Sequence, residues 1–113
     1  LLSKKYKFQP FVCGIKRHKS NSTYLSFANE GLSITMNLSL NGRTHEIRNE
    51  YCKKLTAIIL KYDGKTYLAK YPYFSKSDFE KMYPNYKKIL ELKNKYDPDN
   101  LFCSDAMDRL FIN

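Results

Sequence analysis

The chain has 113 residues, 42% of them hydrophobic and 27% charged, with 4 Gly and 4 Pro. That is one domain of globular composition, which excludes a collagen-like, low-complexity or mainly disordered chain. Lys and Arg number 20 against 11 Asp and Glu, a net charge of +9, which raises nucleic acid, an anionic membrane surface or a phosphorylated ligand as partners.

The distribution of that charge narrows the choice. Sixteen of the cations are Lys and four are Arg, spread along the whole chain. Arg makes bidentate contacts to bases and phosphates, whereas Lys is a point charge. With no Arg-rich arm and no zinc-finger or RRM-like motif, no nucleic acid is expected. A solvated Lys-rich surface accounts for the charge, with attraction to an anionic partner or lipid headgroup as the alternative. No apolar run reaches the roughly 18 residues of a membrane-spanning helix. No apolar stretch follows Leu1-Leu2-Ser3-Lys4-Lys5, so no signal peptide is expected. The first residue is not Met, and the chain reads as part of something longer or a processed product. Cys13, Cys52 and Cys103 are far apart and odd in number, which suits reduced thiols in a cytoplasmic protein. His18 and His45 lie in no ligand pattern, so no metal is expected. There is no G-x-G-x-x-G, Walker loop or G-x-S-x-G elbow.

In chain order, Phe8 to His18 reads as an extended, partly buried segment on Phe8, Phe11, Val12 and Ile15. Lys19 to Thr23 is a polar loop. Leu32 to Leu40 alternates: Leu32, Ile34, Met36, Leu38 and Leu40 share one face, and Ser33, Thr35, Asn37 and Ser39 the other. The apolar face should pack on a core, and the uncharged polar face suits the wall of a site. Asn41-Gly42 is a turn. A helix is expected from Thr44 to Tyr62, with Ile47, Tyr51, Leu55, Ile58, Ile59 and Tyr62 at helical spacing. Thr44 would cap its start and Gly64 would supply the left-handed residue past its end. Thr66 to Lys70 looks like a short strand, and Pro72 bars its continuation in a sheet centre. Ser75 or Ser77 caps a short helix through Met82, Pro84 separates it from a helix over Tyr86 to Tyr96, and Asp97-Pro98-Asp99-Asn100 stops that one. Leu101-Phe102 should dock as an apolar plug. Ser104-Asp105 starts a last turn with Met107, Leu110 and Phe111. The order of elements is that of an α+β fold.

Two groups of segments carry a family resemblance. One is Gly64-Lys65-Thr66-Tyr67-Leu68-Ala69-Lys70, then Met82-Tyr83-Pro84, the run Leu92 to Phe102 (LKNKYDPDNLF), Ser104-Asp105 and Arg109-Leu110. The other is Ile15-Lys16-Arg17, Leu25-Ser26-Phe27 and Gly31-Leu32-Ser33-Ile34-Thr35. Together they resemble the C-terminal end of FAD-linked oxidases of the vanillyl-alcohol oxidase superfamily. The nearest group is that of decaprenylphosphoryl-β-D-ribose oxidase, and the C-terminal region of D-arabinono-1,4-lactone oxidases is related.

The resemblance implies antiparallel strands of a substrate (cap) domain covered by helices over residues 1–65. Residues 66–113 would return to complete an FAD domain. It implies FAD as cofactor, bound mostly by a missing N-terminal half, so that the 113 residues alone would be inactive. It implies oxidation of a sugar-type alcohol, such as lipid-phosphate-linked ribose, by hydride transfer to flavin, with a reductase of the keto sugar as a further partner. An aldonolactone is the alternative substrate, and a non-enzymatic basic module binding nucleic acid or anionic lipid is the alternative class. Lys70 matches the family's lysine beside flavin and substrate, and is the catalytic and cofactor-binding candidate; Tyr67 matches a tyrosine lining the same site. Lys16 matches a substrate-pocket lysine. His18, Ser33 and Thr35 complete the substrate-binding set, standing where the nearest group has Phe, Asn and Cys. Arg109 is expected to make a salt bridge in the tail. A cytoplasmic protein, peripheral at the inner face of the cell membrane, is implied.

Overall fold

The computed structural model describes residues 2–28, 30–39 and 42–112. Helix α1 spans Leu2–Tyr6, strands β1 and β2 span Pro10–His18 and Gly31–Leu38, and helix α2 spans His45–Lys61. Helices α3 (Lys76–Met82) and α4 (Tyr86–Tyr96) follow, and α5 (Asp105–Met107) widens into a π turn over Asp108–Ile112. The fold is α+β, with one antiparallel pair of strands among the described residues. Its radius of gyration is 15.8 Å, above the about 13 Å of a compact chain this long. The sheet stands away from the helices, which is why.

The helix ends follow their sequences. The Thr44 hydroxyl accepts the Ile47 N–H at 3.3 Å and starts α2. At the other end the Gly64 N–H bonds the Ile59 carbonyl at 2.9 Å and the Asp63 N–H bonds that of Leu60 at 3.1 Å, a Schellman closure. The left-handed residue is Asp63, with φ 51°, not Gly64. Gly64 is required for another reason: a Cβ there would stand 3.0 Å from both the carbonyl oxygen and Cγ2 of Ile59. Ser75 and Asp78 form a capping box at α3. Beyond α4 the Asp97 carboxylate accepts the N–H groups of Leu101 (2.8 Å) and Phe102 (3.0 Å) and pairs with Lys93. The Lys93 ammonium and those N–H groups hold the Asp97 carboxyl below its ordinary pKa.

Two aromatic cores hold the helices. The first joins Phe74, Phe79, Met82, Tyr83 and Leu110, with Leu25, Ile59, Leu60 and Leu68 packed on it. The second joins Phe8, Tyr51 and Cys52, with Leu38 and Leu55 at its margin. Tyr71 touches both. Phe8 is therefore core, ahead of β1 rather than in it. The Tyr83 hydroxyl donates to the Thr66 carbonyl, and burial pushes the Tyr83 phenol up to about 12.

Several expectations change in the folded chain. Thr66 to Lys70 is not a strand; its last residues form a turn, with Lys70 and Tyr71 N–H groups bonding the Tyr67 carbonyl at 3.0 and 3.1 Å. Among the described residues no strand lies beside it to accept a ladder. Leu101 and Phe102 are 77% and 81% exposed, because Asp97 grips their backbone and holds the segment on the surface. The apolar sheet face is open: Ile15, Leu32 and Ile34 are 69%, 72% and 67% exposed, since the helices bury their aromatic faces on one another. Among the described residues of the sheet, Leu38 at its end alone reaches a core. On α2 the buried stripe runs through Tyr51, Cys52 and Thr56, leaving Ile47, Ile58 and Tyr62 exposed. Arg109 makes no tail salt bridge among the described residues; it donates to the Phe74 carbonyl at 2.7 Å and lies over that ring. The readings for Leu40 and Asn41 lie outside the described residues.

Tyr83→Phe should cost about 1–3 kcal/mol in denaturant unfolding, because the buried Thr66 carbonyl loses its donor; an unchanged midpoint would show that water replaces it. Asp63→Gly should stabilise the chain by about 1 kcal/mol, relieving a non-glycine left-handed residue, whereas Gly64→Ala should destabilise it. Thermal or urea unfolding reads both signs.

Candidate functional site

Strand register decides which polar residues meet. Lys16 lies opposite Ser33, Gly14 opposite Thr35 and His18 opposite Gly31. Paired positions share a face and alternate positions repeat it. Lys16, His18, Ser33 and Thr35 therefore stand on one face, while Ile15, Ile34, Leu32 and Met36 stand on the other. The four residues singled out from the strands are brought together.

One diagonal contact ties this face. His18 Nε2 lies 2.7 Å from Ser33 Oγ. The His18 ring also meets the edge of Phe27 at 5.4 Å between centroids, with the planes 76° apart. Phe27 in turn contacts Tyr67 at 4.8 Å. The path runs Ser33, His18, Phe27, Tyr67, from the sheet to the turn that ends in Lys70. Lys16 and Lys70 are exposed, and no carboxylate pairs with either among the described residues. Opposite Thr35, a Cβ on Gly14 would meet nothing within 4 Å, so the face has an open floor there. Phe27 is the residue whose role sequence reasoning missed: it stood only in a family-like Leu-Ser-Phe string, and nothing in local spacing aims it at both His18 and Tyr67.

The sheet face and the Tyr67–Lys70 turn between them carry two ammonium groups, two aliphatic hydroxyls, an imidazole and a phenol. Such a set binds anionic or polyhydroxylated ligands, orients hydroxyls and can move a proton. A concavity of about 170 Å³ opens between the Ser20–Ala28 loop and Pro84-Asn85. None of the six candidate residues lines it, so it is separate from this face. The described residues contain no cluster of His, Cys, Asp or Glu fit for a metal. Cys52 is buried, which raises its thiol pKa.

With this geometry in place, the relationship to known proteins is decisive. The family described as D-arabinono-1,4-lactone oxidase matches residues 10–110. The chain belongs to that family. It is similar to mouse (Mus musculus) L-gulonolactone oxidase, 31% identical over 64 residues, which is 57% of this chain and 14% of the relative. It is similar to decaprenylphosphoryl-beta-D-ribose oxidase of Mycolicibacterium smegmatis, 28% identical over 90 residues, 80% of this chain and 19% of the relative. The L-gulonolactone oxidase of Bos taurus is 30% identical over 64 residues, 57% of this chain and 14% of the relative. The chain thus spans less than a fifth of the length of these curated relatives. The family and these relatives are oxidoreductases.

Gly14→Ala tests the open floor. It should leave the chain equally stable or stabilise it by up to about 1 kcal/mol, since only unfolded-state freedom is lost; a clear loss of stability would mean that the floor is packed.

Proposed function

We propose that this chain is the C-terminal portion of an FAD-dependent oxidoreductase that oxidises a sugar-type CH–OH donor held on the polar hairpin face. The observation that carries this reading is one continuous arrangement, Lys16, His18, Ser33 and Thr35 joined through Phe27 to Tyr67 and the Lys70 turn, in a member of this oxidase family.

The donor set fits the ring end of a flavin and its substrate. A phenol and an ammonium stand on one turn, which the Phe27 ring contacts link to the His18–Ser33 pair on the sheet. The chain has no Gly-rich phosphate cradle, so the pyrophosphate would be held by other parts of the protein. When bound, the flavin supplies a hydride acceptor for the carbinol carbon. Lys70 brings a positive charge to that end and stabilises negative charge as it develops. Tyr67 lines the same end. Lys16 holds a polar or phosphorylated substituent, and the Ser33 and Thr35 hydroxyls orient sugar hydroxyls. Residues 1–65 would close the substrate domain and residues 66–113 would return to the FAD domain.

Lipid-phosphate-linked ribose is the first substrate reading, supported by similarity over 80% of the chain to decaprenylphosphoryl-beta-D-ribose oxidase and by two exposed lysines able to meet a phosphate. An aldonolactone is the second, supported by the family match and by the two L-gulonolactone oxidases. No helix among the described residues is long and apolar enough to cross a membrane. A lipid-linked substrate and a Lys-rich surface would favour peripheral attachment to the inner face of the cell membrane, and a keto-sugar product would pass to a reductase.

The test begins with the coding DNA upstream of the Leu1 codon. A frame continuing into an FAD-binding half is expected, and its product should carry FAD that bleaches anaerobically with one of the two substrate classes. Lys70→Met should slow that bleaching by about 10²-fold, with Lys70→Arg closer to the parent. The 113 residues alone should bind no stoichiometric flavin. A stop codon just before Leu1, or a complete product that no sugar alcohol or lactone reduces, would overturn the reading.

A further inference from the structure

Removing a hydride from an alcohol also requires somewhere for the hydroxyl proton to go. The cations proposed to bind and stabilise leave that task unassigned. Resting on the oxidase reading above, we propose that Ser33 and His18 form a proton relay: Ser33 meets the substrate hydroxyl, and His18 behind it takes the proton.

The geometry supports the pair directly. His18 Nε2 and Ser33 Oγ are 2.7 Å apart, hydrogen-bond distance for a hydroxyl donating to a ring nitrogen. Both residues are half-buried. The edge contact with Phe27 restrains the imidazole ring. Ser33 stands on the polar face opposite Lys16, two residues from Thr35 and its open floor, where a sugar hydroxyl can approach. Among the side chains of this face, only an imidazole ordinarily changes charge between pH 5 and 8.

The charged and titratable groups around His18 are few. Lys16 shares its face on β1, and Arg17 and Lys19 flank it in sequence. On the neighbouring strand, Glu30 precedes Gly31, the residue opposite His18. From the turn, Tyr67 approaches by way of Phe27, and Lys70 lies three residues beyond it on the same turn. Among the described residues the imidazole makes one hydrogen bond, to Ser33, and no carboxylate bonds its ring.

In the relay the substrate O–H bond breaks and its proton passes to Ser33 Oγ, while the Ser33 proton passes to His18 Nε2. A bound flavin would be the oxidant, taking the carbinol hydrogen with its bonding pair as the C–O bond becomes C=O. The products are the carbonyl compound, the reduced cofactor and the imidazolium, which then releases its proton to solvent. This requires Nδ1 to carry the hydrogen in the resting state and Nε2 to be the acceptor. His18 acts through Ser33 and is a positioning residue in this sense.

The experiment uses the FAD-loaded product of the complete reading frame. The rate of anaerobic flavin reduction by saturating substrate is measured from pH 5 to 9 for the parent, His18→Phe, His18→Gln and Ser33→Ala. His18→Phe keeps a ring against Phe27. A ring nitrogen can take a proton only where it carries none, so the parent rate should fall on the acid side. Both His18 variants should lose that dependence and run about 10²-fold slower, with product affinity, read from the flavin absorbance, changed less than threefold. Independently of turnover, ¹⁵N-histidine spectra should show His18 Nε2 as the unprotonated, hydrogen-bonded nitrogen at pH 8, and Ser33→Ala should shift that resonance. A parent that is reduced while His18→Phe keeps both rate and acid limb would overturn the relay and leave the oxidase reading standing. A protonated Nε2 at pH 8, or a resonance indifferent to Ser33→Ala, would also overturn it. A parent that no sugar alcohol or lactone reduces would instead remove the oxidase reading itself.

Discussion

Tyr71 is the constraint through which the two cores and the candidate site communicate. Its ring packs against both aromatic clusters, beside Tyr73 at 5.6 Å and Phe74 at 6.2 Å. Its hydroxyl lies 2.8 Å from the Cys52 carbonyl and 3.0 Å from the Thr56 hydroxyl, which is itself 3.1 Å from the Tyr73 carbonyl. Two hydroxyl protons serve three contacts. If Tyr71 donates to Cys52, the shortest of them, Thr56 donates either to Tyr71 or to Tyr73. Burial raises the Tyr71 phenol well above its ordinary pKa, so the donor stays protonated across the physiological range. The segment after α2 is thereby fastened to the middle of that helix.

That fastening positions chemistry one residue away. Tyr71 closes the turn whose first carbonyl belongs to Tyr67 and whose preceding residue is Lys70. A side chain facing the core and an exposed lysine alternate on a tight turn, so anchoring one fixes the base of the other. Leu68 adds a second anchor in the first core. Tyr67 then extends outward to Phe27 and, through it, to His18 on the sheet. The site thus rests on two supports of different stiffness: a turn pinned by aromatic packing, and a two-stranded sheet tied to the helices by Leu38 and by the Phe27 contacts. A pair of strands alone is marginal in water, and its exposed apolar face marks it as the less self-sufficient support.

Much of the helical part was legible because its signals are local. Thr44, Ser75 and Ser104 cap as their side chains dictate, α4 begins and ends at Tyr86 and Tyr96, and Asp97 halts it. The errors arise where the outcome depends on distant partners. Tyr67-Leu68-Ala69 has strand-like composition but no neighbouring strand. Leu101-Phe102 is apolar, yet the backbone bonds from Asp97 keep it outside. At the end of α2 the sequence points to glycine for the left-handed position, whereas the closure places Asp63 there and uses Gly64 for its lack of a side chain against Ile59. The α1 helix, one short turn of LSKKY, had no periodicity to betray it.

The candidate site divides in the same way. Alternation in Leu32 to Leu38 already placed Ser33 and Thr35 on one face, since side-chain direction along a strand has a period of two. Motif likeness pointed to Lys16, Tyr67 and Lys70. The helix caps, the helix-stopping turn, the α+β class and the family resemblance were therefore carried by residues close together in sequence. Tertiary structure alone decided the register that sets Lys16 opposite Ser33, the diagonal approach of His18 to Ser33, and the position of Phe27 between His18 and Tyr67. Register and long-range ring contacts depend on how separated segments meet, and no pattern within a single segment encodes that distance.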